Sequence, residues 1–478
     1  MDSTILEYLK KEHGVAAPAA YYAMIDEWNA WRRGFYKPFH EFSETGASGF
    51  PVKRELYRLN MAKKICEDWA ALIFGERTYV SARDDRTSEW LGGYDGLHGL
   101  IGSTGFMREA DRLTEKAFAL GSGAAILRLD NAVISDGRLR NGKDTILRFD
   151  FVDAQHIVPI SVKGGKIIEA AFVSEIRLRG EDTVYIELHR LEGGEYVITN
   201  EWLRYTSDGV RRYDGEAKIP HKIRTGSRIP LFSVLTPNIS NCIDENCGLG
   251  VSVFAEAIDC LKGVDLAYNN FCRDLKLGGK KVFLNRSLVM RDGRGVMYTP
   301  DDVAQQLFVT IGDGDITNEV MIKEHNPELR TGENADAVQH QLDYLSFRCG
   351  LGTRHYLFSG VQGKAQLTAT QYTGEKQDLI QNTAHHRVNV QEFIEGAMRA
   401  AMWAGANIQK CGIDPDSELE VRFDDSYFID SESERARDRE EVAAGLMLPY
   451  EYRMKWRGES AESAKEILGS NKAELAEI

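Results

Sequence analysis

The chain has 478 residues, of which 73 are acidic and 59 are basic, so its formal net charge at pH 7 is −14. This balance argues against a protein that wraps nucleic acid with a basic surface, but it does not exclude one that lets nucleic acid slide past without sticking. No apolar run reaches the ~18 residues that a membrane span needs, and the N-terminus lacks a signal-peptide pattern. We therefore expect a protein of the cytosol, or of a particle assembled there, without a membrane partner.

The seven cysteines are widely spaced and odd in number, which indicates reduced thiols and no disulfide framework. Cys242 and Cys247 are the closest pair, and they lack the second Cys/His pair that a zinc site requires. We therefore expect neither a metal nor another cofactor.

The first half of the chain predicts helices followed by a β-rich block. Residues 1–50 are aromatic and helical in pattern, and Arg54–Glu76 has apolar side chains at the 3.6-residue period of an amphipathic helix. Residues 145–235 contain five strand-like runs, and two Gly-Gly pairs, at 164–165 and 193–194, are typical of hairpin turns. The sequence thus predicts an α+β protein with an antiparallel meander.

A long amphipathic helix is predicted at 251–277, where apolar residues recur at three-, four- and seven-residue steps. Its other face carries acidic side chains at Glu256, Asp259, Asp265 and Asp274. Because such a helix would be roughly 40 Å long, it is better suited to building a wall than to framing a small pocket.

The remaining segments alternate between strands, loops and helices. Residues 278–331 predict short strands and loops, and a second helix runs over 333–350. A glycine-containing loop follows, and a long helix extends from Thr368 to about Asn407. A strand then leads into a charged helical tail over 431–478.

Motifs for catalysis are weak. Gly360–Lys364 lacks the spacing and the hydroxyl of a phosphate loop. His385 and His386 are adjacent, so they cannot both serve one metal, and we expect them on a helix surface. Asp424, Asp425 and Asp430 could form a carboxylate cluster for general acid/base chemistry, but no partner His or Lys motif accompanies them. We expect a protein that is not an enzyme.

The order of these segments resembles the portal proteins of long-tailed bacteriophages of Gram-positive hosts. The resemblance covers nearly the whole chain. It is carried best by three stretches: Arg58–Glu76, the run 367–378 that begins LTATQ, and the run from FDDS at 423 to EYR at 451–453.

The resemblance implies the phage portal fold, with a helical and β-rich wing, a two-helix stem, a small α/β clip, a tunnel loop and a helical crown. On this sequence the wing is 1–250, the stem 251–277 with 333–350, the clip 278–332, the tunnel loop 351–367, the long helix with its return to the wing 368–430, and the crown 431–478.

The resemblance also implies a role. Such proteins form a ring, usually of about twelve subunits, at the capsid vertex through which double-stranded DNA is packaged and ejected. The partners expected are further copies of the chain, DNA, the terminase large subunit, a head–tail adaptor, and the major capsid and scaffolding proteins.

Three groups of residues follow as candidates for these roles. The acids of helix 251–277 would line the channel and keep DNA mobile by repelling its phosphates. The tunnel loop would touch DNA through Arg354, His355, Gly360, Gly363 and Lys364. The clip would dock the motor and adaptor through Arg291, Asp292 and Arg294.

Two other functions remain open from the sequence. One is a different structural protein of the head–tail junction. The other is a hydrolase that uses Asp424, Asp425 and Asp430.

Overall fold

The computed structural model describes a mixed α+β chain. The residues it describes are 1–15, 19–45, 50–75, 78–93, 98–178, 181–206, 209–213, 219–279, 281–285, 307–310, 322–358, 377–423, 431–457, 464–465 and 467–469.

Helices and strands are numbered here in chain order. The helices are α1 (Ser3–His13), α2 (Ala19–Arg32), α3 (Lys37–His40), α4 (Met61–Phe74), α5 (Asp85–Gly92), α6 (Gly99–Thr104), α7 (Phe106–Leu120), α8 (Ile258–Leu277), α9 (Thr331–Arg348), α10 (Gln377–Ala404), α11 (Ser431–Ala443) and α12 (Pro449–Arg457). The strands are β1 (Glu41–Thr45), β2 (Pro51–Glu55), β3 (Thr78–Ala82), β4 (Gly123–Asp130), β5 (Val133–Ser135), β6 (Arg138–Arg140), β7 (Ile146–Asp153), β8 (Ile157–Lys163), β9 (Lys166–Leu178), β10 (Glu181–Glu192), β11 (Glu195–Thr206), β12 (Gly209–Arg212), β13 (Lys222–Arg224), β14 (Phe232–Leu235), β15 (Lys281–Asn285), β16 (Leu307–Thr310), β17 (Ile322–His325) and β18 (Leu419–Phe423).

The chain divides into two compact units. The β unit comprises Met1–Ala19, Cys66–Val251 and Ala365–Ile478, and the hairpin unit comprises Ala20–Ile65 and Ser252–Lys364.

The β unit contains the predicted meander. Strands β8 to β11 pair with their neighbours in antiparallel register, and β8–β9 and β10–β11 each turn through a Gly-Gly pair. All four turn glycines have positive φ, at 58° and 76° in the first turn and 60° and 85° in the second. Two consecutive positive φ values give the tight turn that matches strand twist, so the prediction from the glycine pairs is confirmed.

Helix α10 packs in the core of the β unit through a buried stripe that includes Phe393, Ile394 and Met398. The Arg387 guanidinium of the same helix donates to the backbone carbonyls of Leu72 and Ile73 at the end of α4. These carbonyls have no partner inside their own helix, and α4 has no basic residue in its last turn, so Arg387 supplies the missing donors.

Helix α4 confirms an amphipathic helix in this region but corrects its start. Ile65, Trp69 and Ile73 are fully buried on one face, as the periodicity predicts. The helix begins at Met61 instead of Arg54, because residues 51–55 form β2 and pair with β1.

The hairpin unit contains α8 and α9, with a three-stranded sheet in the chain between them. In that sheet β15 is central, parallel to β16 and antiparallel to β17. Helix α8 begins at Ile258, seven residues later than predicted. Ser252 explains the late start, because its backbone carbonyl accepts from Ala255 N–H and its hydroxyl accepts from Phe254 N–H.

Candidate functional site

Helices α8 and α9 form an antiparallel pair, called here the helical hairpin. The guanidinium of Arg348, at the end of α9, lies 2.9 Å from the Glu256 carboxylate just before α8. At the other end, Arg330 and Asn334 donate to the Asp274 carboxylate at 2.9 Å and 2.8 Å. Polar contacts thus hold both ends of the hairpin in register.

A glycine allows the two helices to approach closely. A Cβ at Gly263 of α8 would lie 2.4 Å from the side-chain oxygen of Gln341 on α9. Between the polar ends, the facing sides are apolar, with Leu261 and Val264 buried on α8 and Leu342 and Leu345 on α9. The hairpin is therefore a packed element of defined register.

The structure corrects the position of Asp265, which was expected on an exposed acidic face. Asp265 is buried, and its carboxylate accepts from His40 Nε2 at 3.0 Å and from the Leu59 backbone N–H at 2.8 Å. One turn later, the buried Asn269 side chain accepts from the Tyr57 backbone N–H at 3.2 Å. This side of α8 anchors the segment that carries α3 and β2, so Asp265 cannot line a channel.

His40 is also buried and is bonded through both ring nitrogens. Its Nδ1 lies 2.8 Å from the Tyr36 backbone nitrogen and 3.0 Å from the Tyr36 carbonyl oxygen, so it can accept or donate there. Nε2 faces Asp265. The hydrogen bond at Nδ1 therefore fixes the orientation of the ring that contacts Asp265.

The other three acids each have a partner, so the structure does not bring the four together as an acidic face. Glu256 lies in a short 3-10 turn before α8 and pairs with Arg348. Asp274 accepts from Asn334 and Arg330, which hold the pKa of its carboxyl below the usual value. Asp259 pairs with Lys262 at 2.9 Å, and its side chain is 94% exposed. Asp259 is therefore the most outward-facing of the four.

The outer faces of the hairpin expose large apolar side chains that the sequence analysis missed. On α9, Tyr344 is 62% and Phe347 is 61% exposed, and on α8, Leu266 and Leu277 are also exposed. Tyr344 and Phe347 are three residues apart, and Leu266 and Leu277 are three helical turns apart, so each pair shares one side of its helix. The sequence did contain a signal for these exposed side chains, because they are apolar residues that do not follow the helical period of the buried stripe.

Residues 351–358, the first part of the expected tunnel loop, are tied to both helices of the hairpin. The Gln339 side chain of α9 donates to the Tyr356 carbonyl and accepts from the Phe358 N–H, each at 2.8 Å. The Phe358 ring lies 5.6 Å from that of Phe271 on α8. These contacts hold residues 351–358 against the hairpin.

Two of the five expected DNA-contact residues lie in this tied segment. Arg354 is exposed, with a positive φ of 58°, and His355 is half-buried with its ring 4.8 Å from that of Tyr356. Gly360, Gly363 and Lys364 lie outside the described residues, as do the clip residues Arg291, Asp292 and Arg294 and the acids Asp424, Asp425 and Asp430.

One of the two adjacent histidines is not on a helix surface. His385 is exposed, but His386 is buried between the rings of Trp69 and Phe118, and its Nδ1 accepts from the Asn238 backbone N–H. Burial lowers the pKa of His386 to about 4, with a smaller effect from His385, so the ring is neutral at pH 7.

The part of the chain that the structure describes contains neither a cluster of metal-binding side chains nor a helix that could span a membrane. No group of three or more His, Cys, Asp or Glu side chains there is arranged to hold a metal ion. None of the helices in these residues is both long enough and apolar enough to cross a membrane.

Comparisons with known proteins add little to this geometry. No protein-family model matches the chain, and no curated protein matches it either. Among solved structures, a chain from the neck of a native GTA particle, computed with C12 symmetry, is similar over 82% of this chain and 88% of that chain, with 11% identity and a TM-score of 0.37. A likeness at this level defines neither the fold nor the function.

Proposed function

We propose that this chain is the subunit of a closed ring at the head–tail vertex of a tailed-phage-type particle, that is, a portal protein. The support is the sequence resemblance together with the order of the elements: α8, a small sheet, α9, and the long helix α10 further along the chain. In this proposal the helical hairpin is the stem, and the chain between its helices is the clip.

The observation that carries the proposal is the set of apolar side chains on the outer faces of the hairpin. Tyr344 and Phe347 on α9 and Leu266 and Leu277 on α8 are exposed in a single chain. Large exposed apolar patches are typical of interaction sites. If each hairpin packs against the next copy, one set of contacts repeats around an axis, and closure of that rotation gives a ring.

The ring would surround double-stranded DNA, with Asp259 as the residue of α8 best placed to face it. Glu256 and Asp274 are paired with arginines, so their repulsion of phosphates would be weak. Retention of linear duplex DNA by rings with Asp259→Lys, compared with wild-type rings at low salt, tests this role. Equal retention would contradict it.

The remaining partners belong to the same proposal. The terminase large subunit and then the head–tail adaptor would bind the clip, and the capsid and scaffolding proteins would surround the ring. The chain would act as a structural protein of the virion and not as an enzyme.

The proposal is tested by removing the exposed aromatic pair. Tyr344→Ser with Phe347→Ser should shift the protein from a large assembly to smaller species in sedimentation velocity, because the change removes apolar area only where copies would meet. Leu191→Ser is the control, since Leu191 is an exposed apolar residue at the end of β10 in the β unit, away from the hairpin. An unchanged assembly in the double variant would contradict the role of the hairpin.

A further inference from the structure

The β unit contains a cavity of about 530 Å³ that the proposed function does not use. Its lining comes from β4 and β7 of the three-stranded sheet and from β9, β10 and β11 of the larger sheet. Ile134 on β5, Leu139 on β6 and several residues between 219 and 231 complete it. A volume of several hundred Å³ is the size at which proteins enclose small ligands or a few residues of a peptide.

The walls of this cavity are apolar and incompletely covered. Ile176 and Ile219 are 39% and 44% exposed, and Leu129, Ile134, Leu139 and Trp202 are half-buried. The rings of Tyr185 and Trp202 lie 4.7 Å apart and form one side. Because these aliphatic and aromatic groups surround one concave space, a ligand in the cavity would bury more apolar surface than it could on scattered surface residues.

A line of alternating charges runs from the mouth of the cavity to its base. The guanidinium of Arg148 contacts Asp130 at 3.1 Å and also Asp150, and the guanidinium of Arg128 contacts Asp150 at 2.8 Å and also Glu187. Each arginine is thus already bonded to two carboxylates. Three carboxylates face two guanidinium groups, which leaves an excess of negative charge.

The solvent exposure of the three carboxylates shows where in the cavity the excess negative charge lies. The side chains of Asp130 and Asp150 are 48% and 34% exposed, whereas Glu187 is buried and also accepts from His189 Nε2 at 2.7 Å. Burial alone would raise the pKa of Glu187, but Arg128 and His189 outweigh it and lower the pKa to about 2. Glu187 is therefore matched within the protein, and the unmatched negative charge lies near the mouth.

We propose that the cavity binds a peptide segment of another polypeptide that presents a lysine or arginine between aliphatic neighbours. The methylenes of a long basic side chain can pack on the aliphatic wall while its cationic head meets Asp130 and Asp150. A carboxylate or phosphate group fits poorly, because at either arginine it would lie beside the carboxylates that the arginine already binds, and like charges repel. This inference does not depend on ring assembly.

The test uses the full chain and two short blocked peptides. One is acetyl-Ile-Lys-Ile-amide, and the matched control has norleucine in place of lysine, which keeps the alkyl stem and removes the charge. Isothermal titration at low salt should show saturable binding of the lysine peptide, at least about fivefold tighter than the control. Equal affinity of the two peptides, or no saturable binding of either, would overturn the proposal.

Variants of the chain assign the binding to this cavity. Asp130→Asn should weaken binding of the lysine peptide about two- to fivefold, the scale of a half-exposed ion pair, and leave the norleucine peptide unaffected. Ile219→Ser should weaken both peptides. Asp136→Asn, in the exposed turn after β5 and outside the cavity, should change neither. Binding that survives both Asp130→Asn and Ile219→Ser at full strength would place it elsewhere and refute the assignment.

Discussion

The two units use their charged residues in opposite ways. In the β unit, Glu187 is buried and paired with Arg128, and exposed apolar groups such as Ile176 and Ile219 line one cavity. In the hairpin unit, the ion pairs Glu256–Arg348 and Asp274–Arg330 lie at the ends of two helices, and large apolar side chains lie outside. In the proposed ring, neighbouring copies would cover the apolar side chains of the hairpin, whereas the buried charge of Glu187 in the β unit is matched within the chain.

Arg128→Met should have the largest effect, because it leaves Glu187 buried without its main counter-ion. We expect a loss of about 3 to 5 kcal/mol in the free energy of unfolding, measured by denaturant titration. Arg148→Met is the control, since its half-exposed side chain should cost less than about 1 kcal/mol.

A double variant sharpens this prediction. Arg128→Met with Glu187→Leu should recover more than half of the lost stability, because no unpaired charge remains inside. If the double variant is no more stable than Arg128→Met, the pair does not act as a matched unit.

Asp265→Ala should be the most damaging change among the acids of the hairpin. It removes the acceptor for His40 and for the Leu59 N–H, both inside the protein, and we expect a loss of about 3 kcal/mol. Asp259→Ala, on the exposed side of the same helix, should stay within about 0.5 kcal/mol of the wild type. Similar losses for the two variants in thermal unfolding would contradict the division of α8 into buried and exposed sides.

His386 predicts a pH dependence in the β unit. Its pKa is about 4 in the folded chain against 6.5 ordinarily, so the unfolded chain binds a proton that the folded chain excludes. Stability should therefore fall as the pH falls from about 6.5 to 4, by about 2 to 3 kcal/mol from this residue.

The contribution of His386 is isolated by comparing the wild type with His386→Gln, whose amide oxygen can still accept from Asn238 N–H. The difference in unfolding free energy between the two proteins should change with pH over that window. A difference that stays constant between pH 7 and pH 4 would show that His386 is not held neutral by burial.

Local patterns in the sequence predicted the parts of the fold that depend on neighbouring residues. The Gly-Gly pairs at 164–165 and 193–194 predicted both hairpin turns because turn geometry is a local property. The periodicity of α4 likewise predicted its buried face. The predicted start of α8 was wrong, because apolar periodicity does not detect the turn that Ser252 stabilises before the helix.

The candidate site was harder to predict because its contacts are distant in sequence. Asp265 matched an acidic helix face in the sequence, yet its partner His40 is 225 residues away. The same applies to the line from Asp130 to Glu187, which joins strands of two sheets. Helical periodicity distinguishes one side of a helix from another, but it does not tell whether a polar side faces solvent or a buried partner.

The mass of the native assembly tests the central proposal most directly. Native mass spectrometry of the full wild-type chain should give a closed cyclic species, with twelve times the 53.7 kDa chain mass as the expected value, and negative-stain images should show a central hole. A species that remains a monomer or dimer at micromolar concentration, at both low and high salt, would contradict the account.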